Sequence, residues 1–159
     1  MTEAEENTRV FAEGDVAPDF ELLADDGEPI KLSDYKGKTV ALYFYPMDDT
    51  PGCTTEAVGI RDAWGEFIKR DVIVLGVSSD GIDSHREFKS CYELPFKLLS
   101  DPMHVVCDRY GTWGIDGRAM RTTFLISPSG RVIKTWRLVD PTKHAKWLLA
   151  EVNKQLVTA

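Results

Sequence analysis

The chain is short of basic residues, has no close cysteine pair, and holds no apolar run long enough to cross a bilayer. Nineteen Lys and Arg stand against 26 Asp and Glu, a formal charge of −7. A surface of that sign repels nucleic acid and anionic membranes, so neither is expected as a partner. The best apolar run, Val40 to Tyr45, suits a buried strand rather than a membrane span. The opening MTEAEENTRV lacks the basic start and apolar stretch of a secretory signal, which predicts a cytoplasmic protein. Cys53, Cys91 and Cys107 are too few and too scattered for a zinc knuckle or a two-bridge secreted scaffold. His85, His104 and His144 are equally dispersed, so no metal site and no cofactor is expected. Internal repeats, low-complexity tracts and interdomain linkers are also missing.

What is present is 43% apolar residues in 159, enough for one core that needs no disulfide staples. Residues 1–13 read as a polar tail and 14–159 as a single domain. Around AspAspGly at 25 to 27, apolar and polar residues alternate, predicting a β-hairpin. Thr39 to Tyr45 reads as a central strand buried on both faces. Ala57, Ile60, Trp64, Phe67 and Ile68 recur at helical steps, predicting one helix from about Thr54 to Lys69. A second buried strand follows over Val72 to Ser78, so the unit is a parallel crossover. A short helix near His85 to Tyr92, a brief strand at 96 to 99 and another short helix over Met103 to Tyr110 come next. Arg121 to Ser127 and Arg131 to Leu138, parted by ProSerGly, form an antiparallel hairpin. An amphipathic helix over Thr142 to Leu156, packing Trp147, Leu148 and Val152, closes the chain. The order predicts an α/β, thioredoxin-like fold, a central mixed sheet flanked by helices with an N-terminal β-hairpin.

Chemistry is concentrated in FYPMDDTPGCTTE, residues 44 to 56. A buried strand stops at Pro46 and a helix starts within a few residues. Thr50 is a good N-cap, Pro51 suits the first helical position, and Cys53 falls in the first turn. Unpaired backbone N–H groups and the positive end of the helix dipole there favour a thiolate. A lone cysteine is by default a small buried hydrophobe. Its place after ThrProGly at a strand-to-helix junction, with polar neighbours, points instead to a reactive thiol.

Pro46, Thr50 and Cys53, in the pattern proline, three residues, threonine, two residues, cysteine, resemble the peroxiredoxin signature. The wider YPMDDTPGCTTE is similar to the bacterioferritin-comigratory or PrxQ subgroup, as are GDVAPDFEL, LLSDPMHVVCDRYGTWG and RTTFLISPSGRVIKTW. The resemblance runs from about Gly14 over nearly the whole chain. It implies a thiol peroxidase acting on hydrogen peroxide and organic hydroperoxides, with Cys53 attacking one oxygen and becoming a sulfenic acid. Thr50 would hold the peroxide, Pro46 would shield the thiolate from water, and Arg121 would stabilise thiolate and transition state. Gly52 would supply a backbone donor beside that of Cys53. Glu56 matches the subgroup but is favoured in a first helical turn anyway, and is supporting. A thioredoxin, glutaredoxin or small thiol is the implied reductant, and a monomer the implied state. A disulfide reductase would need a CysXaaXaaCys pair, and residue 56 is Glu. A fold-retaining binding or chaperone module is opposed by the intact Pro46, Thr50, Cys53 and Arg121.

The chain departs from the subgroup five residues after Cys53, where many members carry a second, resolving cysteine and this one has Val58. Cys91 falls near a region where some relatives place that thiol, about two residues out of register. It reads equally as a resolving thiol or as a partly buried helix residue. Cys107 reads as buried. If neither resolves, an external thiol attacks the sulfenic acid directly.

Overall fold

The computed structural model describes residues 12–158, with side chains as far as Leu156. The tail expected over 1–13 lies outside the described residues as far as Phe11. Seven strands form one mixed sheet: β1 (Glu21–Ala24), β2 (Pro29–Lys31), β3 (Thr39–Phe44), β4 (Val72–Ser78), β5 (Lys97–Ser100), β6 (Thr122–Ile126) and β7 (Val132–Arg137). Their order is β2-β1-β5-β4-β3-β6-β7. β3, β4 and β5 run parallel, and the two flanking pairs are antiparallel.

β3 is the central strand that its apolar run predicted, and it sends successive side chains to opposite faces. Val40, Leu42 and Phe44 enter one core with Leu75, Val77, Phe124 and Tyr110, whereas Ala41, Tyr43 and Tyr45 enter a second with Val74, Leu98 and Leu125. Among the described residues five α-helices cover these faces: α1 (Pro51–Asp62), α2 (Trp64–Lys69), α3 (Ile82–Tyr92), α4 (Val105–Arg109) and α5 (His144–Thr158). Val106 and Cys107 of α4 join the first core, while Cys53, Ala57, Phe67, Phe88, Leu148 and Val152 bring the other four helices into the second.

Both hairpins form where the turn residues placed them. Leu23 pairs with Pro29 across AspAspGly, and Ile126 with Val132 across ProSerGly, with Gly27 and Gly130 at φ of 83° and 85°. Such angles cost a side-chain-bearing residue energy and glycine almost nothing. The N-terminal hairpin is no appendage, since β1 also pairs with β5 and extends the sheet.

The single helix expected over Thr54 to Lys69 is in fact two. It begins earlier, at Pro51, and breaks at Ala63, whose φ of −98° and ψ of 10° leave the helical region. The apolar spacing continues through the break, so periodicity alone does not reveal it. Gly59 and Gly65, poor helix formers, flank it. Ile68, counted with the buried face, is 61% exposed. α3 starts at Ile82, a turn before the expected His85, and β5 lies one residue later than expected. Among the described residues no helix is long and apolar enough to cross a membrane.

Candidate active site

The segment between β3 and α1 is built to deliver Cys53 to the second core. Asp49 takes a left-handed conformation with φ 58°, uncommon for a residue bearing a side chain, and turns the chain toward the helix. Thr50 is the N-cap with extended φ and ψ, and Pro51 and Gly52 are the first two helical residues, so Cys53 is the third. The Thr50 hydroxyl makes no capping bond, contrary to expectation. It donates to the Met47 carbonyl at 3.0 Å, closing the loop on itself. Pro46 is half-buried at the head of this loop. Cys53 is only 2% exposed and packs among Ala57, Tyr45 and other apolar side chains, so its surroundings are drier than its polar sequence neighbours suggested.

What sets this thiol apart from a core cysteine is Arg121, immediately before β6. Its Nη2 donates to Cys53 Sγ at 3.4 Å, and its Nη1 to Glu56 Oε1 at 2.8 Å. Glu56, one helical turn after Cys53, has a fully buried side chain, so the guanidinium meets a carboxylate and a sulfur on one helix face. Burial works against the charged arginine, but Glu56 and Cys53 outweigh it and hold its pKa above the ordinary value. Gly52 has a steric reason to be glycine. A Cβ there would stand 3.0 Å from Arg121 Nη2, in the space the guanidinium needs to cross the helix start.

Two further buried groups complete the site and were missed from the sequence. His144, the first residue of α5, is 1% exposed. Its Nε2 lies 2.7 Å from Thr123 Oγ1 and its Nδ1 3.0 Å from Glu56 Oε2. Tyr43, on the face of β3 that meets α1, packs edge-on against His144 with ring centroids 5.4 Å apart. Burial first, then the negative charge of Glu56 and Cys53, raises the Tyr43 phenol well above its usual range, so it stays neutral. A histidine opening a helix has no local sequence signature; only the alternation of β3 marked Tyr43 as facing the same core.

On the other side of the loop, Asp48 and His85 form a buried pair with Nδ1 to Oδ2 at 2.7 Å. Tyr45 and Ser84 hydroxyls also donate to Asp48, and His85 Nε2 lies 2.9 Å from the Leu99 carbonyl. Asp48, Asp80 and His85 are close enough together to ligate a cation. Their oxygens are already engaged, however: Asp80 Oδ2 accepts from the Asp48 backbone N–H and the Ser78 hydroxyl. The cluster reads as an anchor between the loop and α3. At the far end of α3 the Tyr92 hydroxyl donates to Asp49 at 2.7 Å, and the Tyr92 carbonyl accepts from Arg61 of α1 at 2.8 Å.

All three cysteines are free thiols. Cys91 is exposed, next to Tyr92 and its bond to the active-site loop. Cys107 is fully buried in the other core, with the sheet between it and Cys53. Burial, reinforced by Asp101, pushes the Cys107 thiol far above its ordinary range, so it remains protonated. Val58 is half-buried on α1 and offers no sulfur.

Residues 14–135 match the AhpC/TSA family. The chain is 47% identical over 138 residues to a putative peroxiredoxin bcp of Coxiella burnetii, covering 82% of this chain and 91% of that protein. It is 46% identical to peroxiredoxin Bcp of Bacillus subtilis, covering 82% and 88%. Among solved structures it superposes on peroxidoxin BcpB of Mycobacterium tuberculosis with a TM-score of 0.85 at 32% identity, covering 89% and 96%. It also superposes on the bacterioferritin comigratory protein of Xanthomonas campestris, whose structure is described for its alkyl peroxide reduction activity, with a TM-score of 0.82 at 33% identity and coverage of 86% and 91%. With a thioredoxin-like sheet, a helix-start cysteine under an arginine and these relatives, the chain belongs to the AhpC/TSA family of peroxiredoxins, in its Bcp or PrxQ branch.

Proposed function

We propose that this thiol-dependent peroxidase uses Cys53 as the attacking thiol and Cys91 as the thiol that resolves it. The observation that carries the first half is the 3.4 Å contact from Arg121 to the buried Cys53 sulfur. A fixed cation in a low-dielectric site favours the thiolate and the charge that develops along the O–O bond. The thiolate attacks one oxygen of hydrogen peroxide or an organic hydroperoxide, the O–O bond breaks, and the second oxygen leaves with a proton as water or alcohol. Cys53 becomes a sulfenic acid. Thr50, with its hydroxyl in the loop ahead of Cys53, orients the peroxide; Pro46 screens the sulfur; Gly52 leaves room for Arg121 and supplies a backbone donor; Glu56 holds the arginine.

For the second half, Cys91 is the exposed thiol of the three, and its neighbour Tyr92 touches the active-site loop. Cys107 lies beyond the sheet and stays protonated. A disulfide needs Cα atoms within about 7 Å, and with Cys53 buried and Cys91 exposed on a separate helix, the reading has the end of α3 detach from Asp49 and Arg61 as α1 unwinds. The Cys91 thiolate then attacks the sulfenic sulfur and releases water, and an external dithiol such as thioredoxin or glutaredoxin, or two equivalents of a small thiol, reduces the disulfide with two electrons. The reading includes a monomer working in the cytoplasm. Intact-mass analysis after one equivalent of peroxide tests it: loss of two hydrogens, abolished in Cys91→Ser, is expected. Gain of one oxygen in the parent chain would instead establish a one-cysteine cycle reduced directly by an external thiol.

A further inference from the structure

Beneath Cys53 lies a buried polar chain that peroxide reduction by Cys53 and Arg121 does not by itself require. It runs from Cys53 through Arg121 and Glu56 to His144 and Thr123. Arg121 has two anions to serve with one guanidinium. Every share of charge that Glu56 takes is withdrawn from the sulfur. Whatever engages the second oxygen of Glu56 therefore governs how much of Arg121 is left for Cys53.

That oxygen is held by His144. The Nδ1 to Oε2 separation is 3.0 Å, off the hydrogen-bonding direction, so both atoms lack a formed hydrogen bond and the contact is electrostatic. The state of the ring follows from its other nitrogen. If the Thr123 hydroxyl donates to Nε2, the neutral imidazole carries its proton on Nδ1. If Nε2 donates to Thr123, Nδ1 either is protonated too or turns a lone pair on a carboxylate 3.0 Å away, which is repulsive. In each favourable state a proton sits on Nδ1, the nitrogen 3.0 Å from Glu56 Oε2. The groups in contact with the ring are Glu56 from α1, Tyr43 from β3 and Thr123 from β6, with Arg121, just ahead of β6, and Cys53 reached through Glu56.

We propose that His144 is a positioning residue for the peroxidase reaction: through Nδ1 it holds and orients Glu56, so that Arg121 keeps its Nη2 on Cys53. This rests on Cys53 as the attacking thiol. Arg121 and Glu56 also survive the reaction step in register, because the histidine holds the carboxylate when the sulfur loses its charge as the sulfenic acid.

The test uses two isosteric replacements that each keep one nitrogen. Asn places its amide near the Nδ1 position and Gln near that of Nε2. The second-order rate of Cys53 oxidation by hydrogen peroxide is followed against pH in the parent, H144N, H144Q and H144L, with melting temperatures taken alongside. H144L is expected to lose about tenfold at neutral pH and to move the acid limb of the profile up by about one unit, since an unscreened Glu56 draws Arg121 from the thiolate. H144N is expected within about threefold of the parent and H144Q to follow H144L. If H144N and H144Q are alike, or the acid limb of H144L stays put, the role is overturned. Should H144L not fold, the H144N and H144Q pair still decides. Cys53→Ser separates this from the underlying reading: full peroxide consumption by C53S removes the attacking thiol, whereas parental profiles in the His144 series remove the positioning role alone.

Discussion

Arginine, not just positive charge, is what the geometry around Cys53 calls for. Arg121 reaches Glu56 and Cys53 with separate nitrogens of one planar fork, and a lysine ammonium cannot span both positions. Arg121→Lys is therefore expected to cut kcat/KM for hydrogen peroxide by about 100-fold while the fold remains, measured by stopped-flow consumption; a change under about threefold would show that charge alone suffices. Cys53, Thr50, Pro46 and Arg121 were legible as a candidate set because they fall in short motifs with fixed spacing. Glu56 was visible but undervalued, since a carboxylate in a first turn has an ordinary explanation. His144 and Tyr43 were not legible as site residues, because their contacts join α5 and β3 to α1 and leave no mark in local sequence.

Among the elements, α3 has the most to explain. Its N-terminal half is tied to the active-site loop by the buried Asp48 and His85 pair, and its C-terminal end by two bonds at Tyr92. The first tie is internal and dry, the second partly exposed, so fraying is expected to start at the Cys91 end. His85→Ala removes the imidazole from the buried Asp48 carboxylate, which keeps the Tyr45 and Ser84 hydroxyls as donors. A loss of about 1–3 kcal/mol is expected in urea unfolding; a loss below about 0.5 kcal/mol would mean that water replaces the imidazole without cost. Helix and strand types were legible from periodicity and turn residues, as the two hairpins and the parallel β3–α1–α2–β4 unit show. The break at Ala63 was not, because Trp64 and Phe67 continue the same apolar spacing after it.

On the scale of the molecule, one sheet separates two cores and assigns the cysteines their different fates. Cys53 lies in one, Cys107 in the other, and Cys91 outside both. The core behind Cys53 is tightly fitted at Gly76 of β4, where a Cβ would come within 3.0 Å of the Tyr43 ring and 3.1 Å of Leu98. Gly76→Ala is expected to destabilise by about 1–3 kcal/mol in urea unfolding and to slow peroxide reduction, because the Tyr43 ring that packs on His144 must shift. Unchanged stability would show that the core yields there. The alternation in β3 made this two-sided architecture readable in advance, whereas the exposure of Cys91 depended on how α3 is rotated against the sheet. The claim on which all of these scales depend is that the Cys53 sulfur takes the peroxide oxygen. Its most direct measurement is stopped-flow consumption of hydrogen peroxide by fully reduced Cys53→Ser beside the parent chain. The account predicts that C53S falls to the uncatalysed background while Cys91 and Cys107 remain present; consumption at the parental rate would contradict it.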